Sequence, residues 1–352
     1  MSLITLIAGP PQTGQLEKMF SLPEFAGSYF LDLEDFKTLE LVKTQPHFFQ
    51  DIVQLAQNQK FNVVAIHRID LASEIISNLN SLEITIIASC YRLTKALEKS
   101  FTEILYTSAE IKYEFSSEAD LHEVLQYGSI QENDEITDPE KKAQSIKNYT
   151  ERSIEENILS QRSLKNLVPF HLFLQILPEL IDRKINLTEI SKRLNVDYKT
   201  IQSYFSILEE LGFLFKLPAY NKKLRQVQLQ SCRYYFFDLG IGNYFTNQPS
   251  QFLNIYSINY LQQIRKWLIA EIFKINSIHK LNLRLSYLIT KDRFEIPLII
   301  ENSTGHTLFI TFSNEKKLIL LIKNLNLMNT KIILLDSQIA TLNAFLKQLL
   351  NF

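Results

Sequence analysis

The chain reads as an α/β protein built in three successive folding regions. Short apolar runs alternate with helical patterns up to about residue 125, a helix-turn-helix followed by a β-ribbon occupies 166–245, and a second α/β pattern fills 256–352. The expected divisions are 1–128, a parallel-sheet domain; 129–165, a charged connector and helix; 166–250, a helical module with a ribbon; and 256–352, a closing α/β domain.

In the first region the strand candidates are Leu3–Ala8, Gly27–Leu33, Asn62–Ile66, Glu83–Ser89 and Ile104–Tyr106, with helices such as Phe48–Gln59 and Leu93–Lys99 between them. This βαβ rhythm predicts a parallel sheet covered by helices. The first strand runs into Gly9-Pro10-Pro11-Gln12-Thr13-Gly14-Gln15-Leu16, which has both glycines of a phosphate-binding P-loop. The pattern G-x-x-x-x-G-K-[ST] needs a lysine for the β/γ-phosphates and a hydroxyl for magnesium. Those places hold Gln15 and Leu16. Backbone amides can cradle a phosphate whatever the side chains, although Pro10 and Pro11 offer none. A short helix is expected after the loop, closed by Pro23, and the acidic cluster Asp32, Glu34, Asp35 reads as a loop or helix cap.

Residues 130–165 are rich in charge and predict a solvated loop leading into a surface helix. In the 166–245 region Leu187–Leu194 is an amphipathic helix opened by Asn186 or Thr188, and Asn195-Val196-Asp197 makes a turn. Tyr198–Leu211 is a second helix with Ile201, Phe205, Leu208 and Leu211 on one face, ended by Gly212. With strands at Phe213–Leu217 and Arg233–Phe237, this is the pattern of a winged helix. Between Leu211 and Phe237 lie five basic residues, Lys216, Lys222, Lys223, Arg225 and Arg233, and no acidic one. A DNA contact would draw on Lys222, Lys223 and Arg225 for phosphates, and on Asp197, Tyr198, Lys199, Gln202 and Ser203 at the groove. The competing reading is a packing lid or a protein interface, consistent with Glu209 and Glu210 on the same helix. The final region has a helix at Ile264–Ile275, strands at Leu283–Thr290, Glu295–Glu301, Thr307–Thr311 and Lys331–Leu335, and helices near Glu315–Leu325 and Ala340–Leu350.

Composition narrows the function. With 46% hydrophobic and 21% charged residues over 352 positions, the chain is ordinary for a globular protein of two or three domains. A formal net charge of -1 gives no global attraction to nucleic acid. Two distant cysteines, Cys90 and Cys232, fit neither a disulfide framework nor a metal-ligand spacing, and eight glycines leave little room for further glycine-rich loops. No apolar run reaches the roughly 18 residues that span a bilayer, and no basic segment precedes the first strand, so membrane insertion is not expected and a cytoplasmic location is.

Together Gly9–Gly14, Leu125-Gln126-Tyr127-Gly128-Ser129 and Tyr234-Tyr235-Phe236-Phe237-Asp238-Leu239-Gly240 make the chain resemble a family of prokaryotic AAA+-type ATPases. The resemblance implies a P-loop, AAA-like parallel-sheet domain, a winged-helix middle domain and a restriction-endonuclease-like C-terminal domain. The chain departs from that family where chemistry is concentrated. The family ends its third strand in an Asp-Glu pair that holds magnesium and polarises water; here His67 and Arg68 stand there. The sensor strand reads Ala88-Ser89-Cys90. In the tail, aligned on Glu271, the helical metal-binding Glu becomes Arg265, the strand Asp becomes Pro297, and the E-x-K pair becomes Thr311-Phe312-Ser313, leaving no carboxylate at the strand positions of a metal site.

The resemblance therefore implies a pseudo-ATPase that serves as a binding or scaffold subunit of a protein assembly, with no metal and weak or no binding of ATP and magnesium. The alternatives are a DNA-binding protein acting through the winged helix and a residual ATP-binding protein or slow ATPase. An acid–base role for His67 and Asp70 is not expected, because no nucleophile stands out beside them, and Asp238 is expected to be a structural turn residue.

Overall fold

Five strands, β1 (Leu3–Ala8), β2 (Ser28–Asp32), β3 (Val63–His67), β4 (Thr85–Cys90) and β5 (Glu103–Tyr106), form one parallel sheet in the order β2-β3-β4-β1-β5. The computed structural model describes residues 3–9, 15–45, 47–75, 84–91, 95–107, 115–130, 136–161, 167–220, 228–246, 258–289, 295–312, 329–335, 338–350 and 352. Parallel strands need crossovers that cover both faces, which is why these runs are almost continuously apolar. Leu6, Ala8, Val64, Ile66, Ile86 and Ala88 belong to one buried cluster, and Ile7, Ala65 and Ile87 to another. Their alternation with period two places them on opposite faces. The first cluster takes in Phe49, Ile52, Val53 and Ala56 of α3 (Phe48–Asn58), spaced to form one helical stripe. The second takes in Met19 of α1 (Gln15–Phe20), a short helix followed by a 3-10 turn that opens at Pro23. Asp35 caps α2 (Phe36–Thr44), its carboxylate accepting from the Thr38 amide at 2.8 Å. The helix α4 (Lys95–Ser100) precedes β5.

By its internal contacts the chain divides into two units, 1–109 with 151–164 and 207–212, and 110–150 with 165–206 and 213–352. The expected segments 166–250 and 256–352 fall mainly in the second unit. The helix expected from the charged stretch is α6 (Pro139–Gln161), following α5 (Glu118–Tyr127). It is not simply a solvated surface helix: Lys142, Ile146, Tyr149, Thr150, Ser153 and Ile154 are all buried. Their three- and four-residue spacing makes a buried stripe within a polar sequence. Residues 131–135, where much of the predicted charged loop falls, lie outside the described residues.

In the second unit, α7 (Val168–Leu180), α8 (Leu187–Leu194) and α9 (Tyr198–Glu210) follow the predicted boundaries closely. Asn186, not Thr188, caps α8 by accepting from the Glu189 amide, and Asn195 closes that helix with a left-handed φ of 52°. Aromatic rings join the helices to the ribbon: Phe173 lies 4.9 Å from Phe205, which stacks on Tyr234 at 4.2 Å. The ribbon strands β6 (Leu214–Ala219) and β7 (Gln228–Phe236) are antiparallel. They do not stand alone. β6 also pairs in parallel with β8 (Arg284–Ile289), giving a mixed six-stranded sheet in the order β11-β10-β9-β8-β6-β7 with β9 (Glu295–Glu301), β10 (Thr307–Thr311) and β11 (Thr330–Leu334). The helix predicted at Ile264–Ile275 extends to Ile258–Ile278 as α11, after the short α10 (Leu239–Phe245), and packs Ile264, Trp267, Leu268, Ile272 and Ile275 against Leu298, Ile300, Leu308 and Ile310. Leu342, Phe345, Leu346 and Leu349 of α12 (Ile339–Leu349) complete that core. The helix predicted near Glu315–Leu325 lies outside the described residues.

The two motifs around Gly128 and Asp238 interlock. The buried Asp238 carboxylate accepts from the amides of Ser129 at 2.7 Å, Gly240 at 2.8 Å and Ile241 at 3.3 Å, so it both caps α10 and ties down the chain leaving α5. Asn243 donates to the carbonyls of Leu125 and Gln126, the last turn of α5. Gly128 has φ 73° and faces this carboxylate so closely that a Cβ would collide with it. Burial raises the Asp238 carboxyl above its ordinary range, while Lys274 and the three amides pull it down.

Gly128→Ala therefore meets both a strained φ and a steric clash, and Asp238→Ala leaves three buried amides without their acceptor. Each is expected to cost roughly 2–4 kcal/mol, read as a lower urea midpoint at unchanged slope. A midpoint within error of the wild type for both variants would show that the interlock contributes nothing.

Candidate functional site

Ligands of open parallel α/β sheets bind off the carboxyl ends of the strands, where the direction of crossover changes. In this sheet β1 lies between β4 and β5, so that edge carries Gly9 after β1, Arg68 after β3, Tyr91 after β4 and Thr107 after β5. At the first of these ends the Gly9 amide donates to the Cys90 carbonyl at 3.3 Å, and the Thr107 amide to the Ala8 carbonyl at 2.8 Å. A Cβ at Gly9 would strike Thr107, so the close approach of β5 requires glycine here whether or not a phosphate binds. Gln15, where the family's lysine would stand, is 2% exposed, and its amide donates back to the Gly9 carbonyl at 2.7 Å. Leu16 is half-buried. Gln12, Thr13 and Gly14 lie outside the described residues.

The end of β3 is more altered. Arg68 takes a left-handed φ of 61°, unusual for a long side chain, and is buried. Its guanidinium is clasped on two sides: Nη1 donates to Glu34 Oε1 at 2.9 Å, while Nε and Nη2 donate to Asp70 at 3.2 Å. It lies over the Tyr91 ring, 3.8 Å from the centroid, and Asp70 also accepts from the Tyr91 amide at 3.2 Å. His67 is 1% exposed; its Nδ1 lies 2.6 Å from Ser89 Oγ, and its Nε2 lies 3.8 Å from Glu34 Oε1. A hydroxyl thus does lie beside His67, contrary to the sequence reading. Ser89 is nevertheless fully buried, so the pair acts as an internal hydrogen bond with no route to a substrate. Asp70 serves Arg68, not His67.

The charges explain one another. The His67 ring and then Arg68 lower the Glu34 carboxyl from 4.5 to about 2, against the rise that burial would cause. Burial alone would lower the Arg68 guanidinium, but Asp70 and Glu34 outweigh it and raise it. Burial pushes the Tyr91 phenol and the Cys90 thiol up. The Arg68 guanidinium is thus taken up by two carboxylates and is not left free for a triphosphate. Among the described residues, no group of three or more His, Cys, Asp and Glu side chains gathers as a metal site.

The remaining sequence candidates lie in the second unit. Lys199, Gln202 and Ser203 are exposed along α9, and Asp197 accepts from the Thr200 amide as a cap. Lys222, Lys223 and Arg225 lie outside the described residues. Arg233, counted from the sequence among the basic residues of the wing, is 4% exposed and so is not on the outer surface of the ribbon. Lys216 is half-buried, its amine 5.5 Å from the Tyr234 ring centroid. Pro297 is buried in β9, Thr311 is buried at the end of β10, and Ser313 lies outside the described residues. Arg265 does find carboxylates: Glu295, at the start of β9, accepts from its Nη1 at 3.2 Å, and Asp182 accepts from its Nη2. Glu295, two residues before Pro297 on β9, is thus held in an ion pair with Arg265.

Sequence reasoning missed the Glu34–Arg68–Asp70 clasp and Tyr91. One signal was available. Parallel pairing of the two predicted strands sets Asp32 beside His67, which brings the acidic cluster after β2 next to the basic pair after β3.

Comparison with known proteins adds little detail. A family model described as a domain of unknown function (DUF8612) matches residues 119–251, a span that contains both halves of the Gly128–Asp238 interlock. No curated protein matches the chain. Among solved structures, it is similar to the crystal structure of a Signal Transduction ATPase with Numerous Domains (STAND) protein with a tetratricopeptide repeat sensor from Pyrococcus horikoshii, at 12% identity and a TM-score of 0.20. That match covers 78% of this chain and 43% of the other, so the chain spans less than half the length of that protein, and at this TM-score the likeness carries no structural argument. Among the described residues, no helix is long and apolar enough to cross a membrane.

Because the folded value of Glu34 lies below its ordinary value, the stability it contributes is complete above about pH 4.5 and is lost as the pH falls towards 2. Glu34→Gln should flatten the fall in stability over that window in an acid titration followed by circular dichroism, and an unchanged acid limb would contradict the clasp. Arg68→Ala strands the buried Asp70 and should cost about 3–5 kcal/mol, whereas a loss below about 1 kcal/mol would show the ion pair to be incidental.

Proposed function

We propose that this chain is a non-catalytic, AAA-like pseudo-ATPase that works as a binding or scaffold subunit of a protein assembly. In this reading the first unit is a P-loop-type domain, the helices α7–α9 with the β6–β7 ribbon are a winged helix, and β8–β11 with α11 and α12 derive from a nuclease-like domain. The observation that carries it is the Arg68 clasp. In this reading the guanidinium held by Glu34 and Asp70 takes the place of the glutamate that would polarise the attacking water, and the buried His67 takes that of the magnesium-binding aspartate.

Magnitudes favour this over a residual ATPase. The missing P-loop lysine forfeits a charge-assisted bond worth ~1.5–3 kcal/mol, or about ten- to a hundredfold in affinity. Seating magnesium would also require opening a buried ion pair, at roughly 3–5 kcal/mol. Together these take an ordinary micromolar site to millimolar or weaker. The output is then the folded surface, since the apolar sheet requires no active site to remain stable. Titration calorimetry with ATP, with and without magnesium, should give no saturable heat below about 1 mM. A micromolar, magnesium-dependent dissociation constant would overturn the proposal.

A second reading, DNA binding, is favoured by one observation: Lys199, Gln202 and Ser203 lie exposed on the same stretch of α9. Fluorescence anisotropy with duplex DNA across a salt series separates the two. The scaffold reading expects no binding at low salt, while a DNA-binding winged helix with three to five phosphate contacts would give a log–log salt slope of about -3 to -5.

A further inference from the structure

A second polar cluster, in the second unit, is built around Asp182. This residue follows α7 with a left-handed φ of 60°, and its amide donates to the Tyr234 carbonyl at 3.0 Å, which fixes it beside β7. Its carboxylate accepts from Tyr235 Oη at 2.5 Å, from Arg233 Nη1 at 3.2 Å and from Arg265 Nη2. Glu295 accepts from Arg233 Nη1 at 2.8 Å and from Arg265 Nη1. Arg233 also lies over the Tyr287 ring, 4.4 Å from the centroid.

Two features remain unbalanced. The Nε donors of Arg233 and Arg265 are buried and have no acceptor among the described residues, although buried guanidinium donors are normally satisfied. Among the described residues charge is also in excess: Arg233 and Arg265 are joined by the half-buried Lys266 and the exposed Arg183, so four cations accompany the two carboxylates Asp182 and Glu295. Burial holds the Lys266 amine below its ordinary value; Asp182 opposes this, and Arg265 and Arg183 add to it. Arg265 and Glu295 are 24% and 30% exposed in their side chains, so the outer side of the cluster meets solvent.

We propose that the cluster of Arg183, Arg233, Arg265 and Lys266 around Asp182 binds a phosphate group. A tetrahedral oxyanion accepts hydrogen bonds on every oxygen, suits guanidinium geometry and neutralises the excess of two positive charges, whereas a metal cation would meet four like charges. The carboxylates hold the buried Arg233 and the half-buried Arg265 guanidiniums in place, and Lys266 and Arg183 set the charge. No bond is made or broken. The site takes either free phosphate or the phosphate of a larger molecule, such as a nucleic-acid terminus.

The full chain at neutral pH tests this. Inorganic phosphate, compared with chloride at equal ionic strength, should raise the melting temperature by about 2–4 °C at saturating concentration. Lys266→Met and Arg183→Ala should each weaken phosphate affinity at least tenfold, while Lys37→Met, an exposed change in the first unit, leaves it unaltered. Competition with a 5′-phosphorylated oligonucleotide and its unphosphorylated twin identifies the source. Displacement by the phosphorylated one alone assigns a nucleic-acid terminus, and displacement by neither assigns free phosphate. Arg183→Ala carries the test if Lys266→Met does not fold, because Arg183 is exposed. No shift against chloride, or a shift that survives both substitutions, overturns the proposal. Neither result bears on the Arg68 clasp, which lies in the other unit.

Discussion

The constraint on which the first unit turns is the burial of one guanidinium between two carboxylates at the end of β3. A buried charge is costly unless it is paired and fully hydrogen-bonded. Arg68 meets that condition only because parallel pairing sets the end of β2 beside that of β3, bringing Glu34 within reach, while the turn after β3 returns Asp70 to the same fork. The left-handed backbone of Arg68 is sustained by these contacts and by the Tyr91 ring beneath it. Gln15 makes the matching adjustment at β1, using its amide on the Gly9 carbonyl. Among the described residues of this strand edge, Arg68 and Gln15 thus both donate to internal acceptors.

The second unit solves its polar problem differently. Around Gly128 and Asp238, backbone amides meet one buried carboxylate, and each group has its partner. Around Asp182 the partners do not balance among the described residues, where two guanidinium donors remain over. A satisfied network rigidifies a core, whereas an unsatisfied one is where a ligand can still contribute free energy. This difference separates a structural motif from a candidate site in the same unit.

Most of the elements were legible from the sequence because their signals are local. The apolar runs of β1, β3 and β4, the stripe of α3, the cap at Asn186 and the turn at Asn195 each require only neighbouring residues. The buried stripe of α6 was hidden because its apolar positions are sparse among charges, and the burial of Lys142 and Thr150 has no local sign. The attachment of β6 to β8 was hidden for another reason: strand pairing across sixty-odd residues leaves no periodic trace. At the candidate site Gln15, Leu16, His67 and Arg68 could be singled out from the sequence, since each differs from the residue type that the resembled family would carry there. What surrounds them was not readable, because Glu34, Asp70, Tyr91 and Ser89 meet only in the folded sheet.

A crystal structure grown with millimolar ATP and magnesium would put the most direct question to the strand edge. A closed clasp predicts that Arg68 stays between Glu34 and Asp70, that Gln15 keeps its bond to Gly9, and that no nucleotide density appears beside them. Magnesium and a triphosphate bound at the end of β1, with the Arg68 guanidinium swung out of its carboxylate fork, would contradict it.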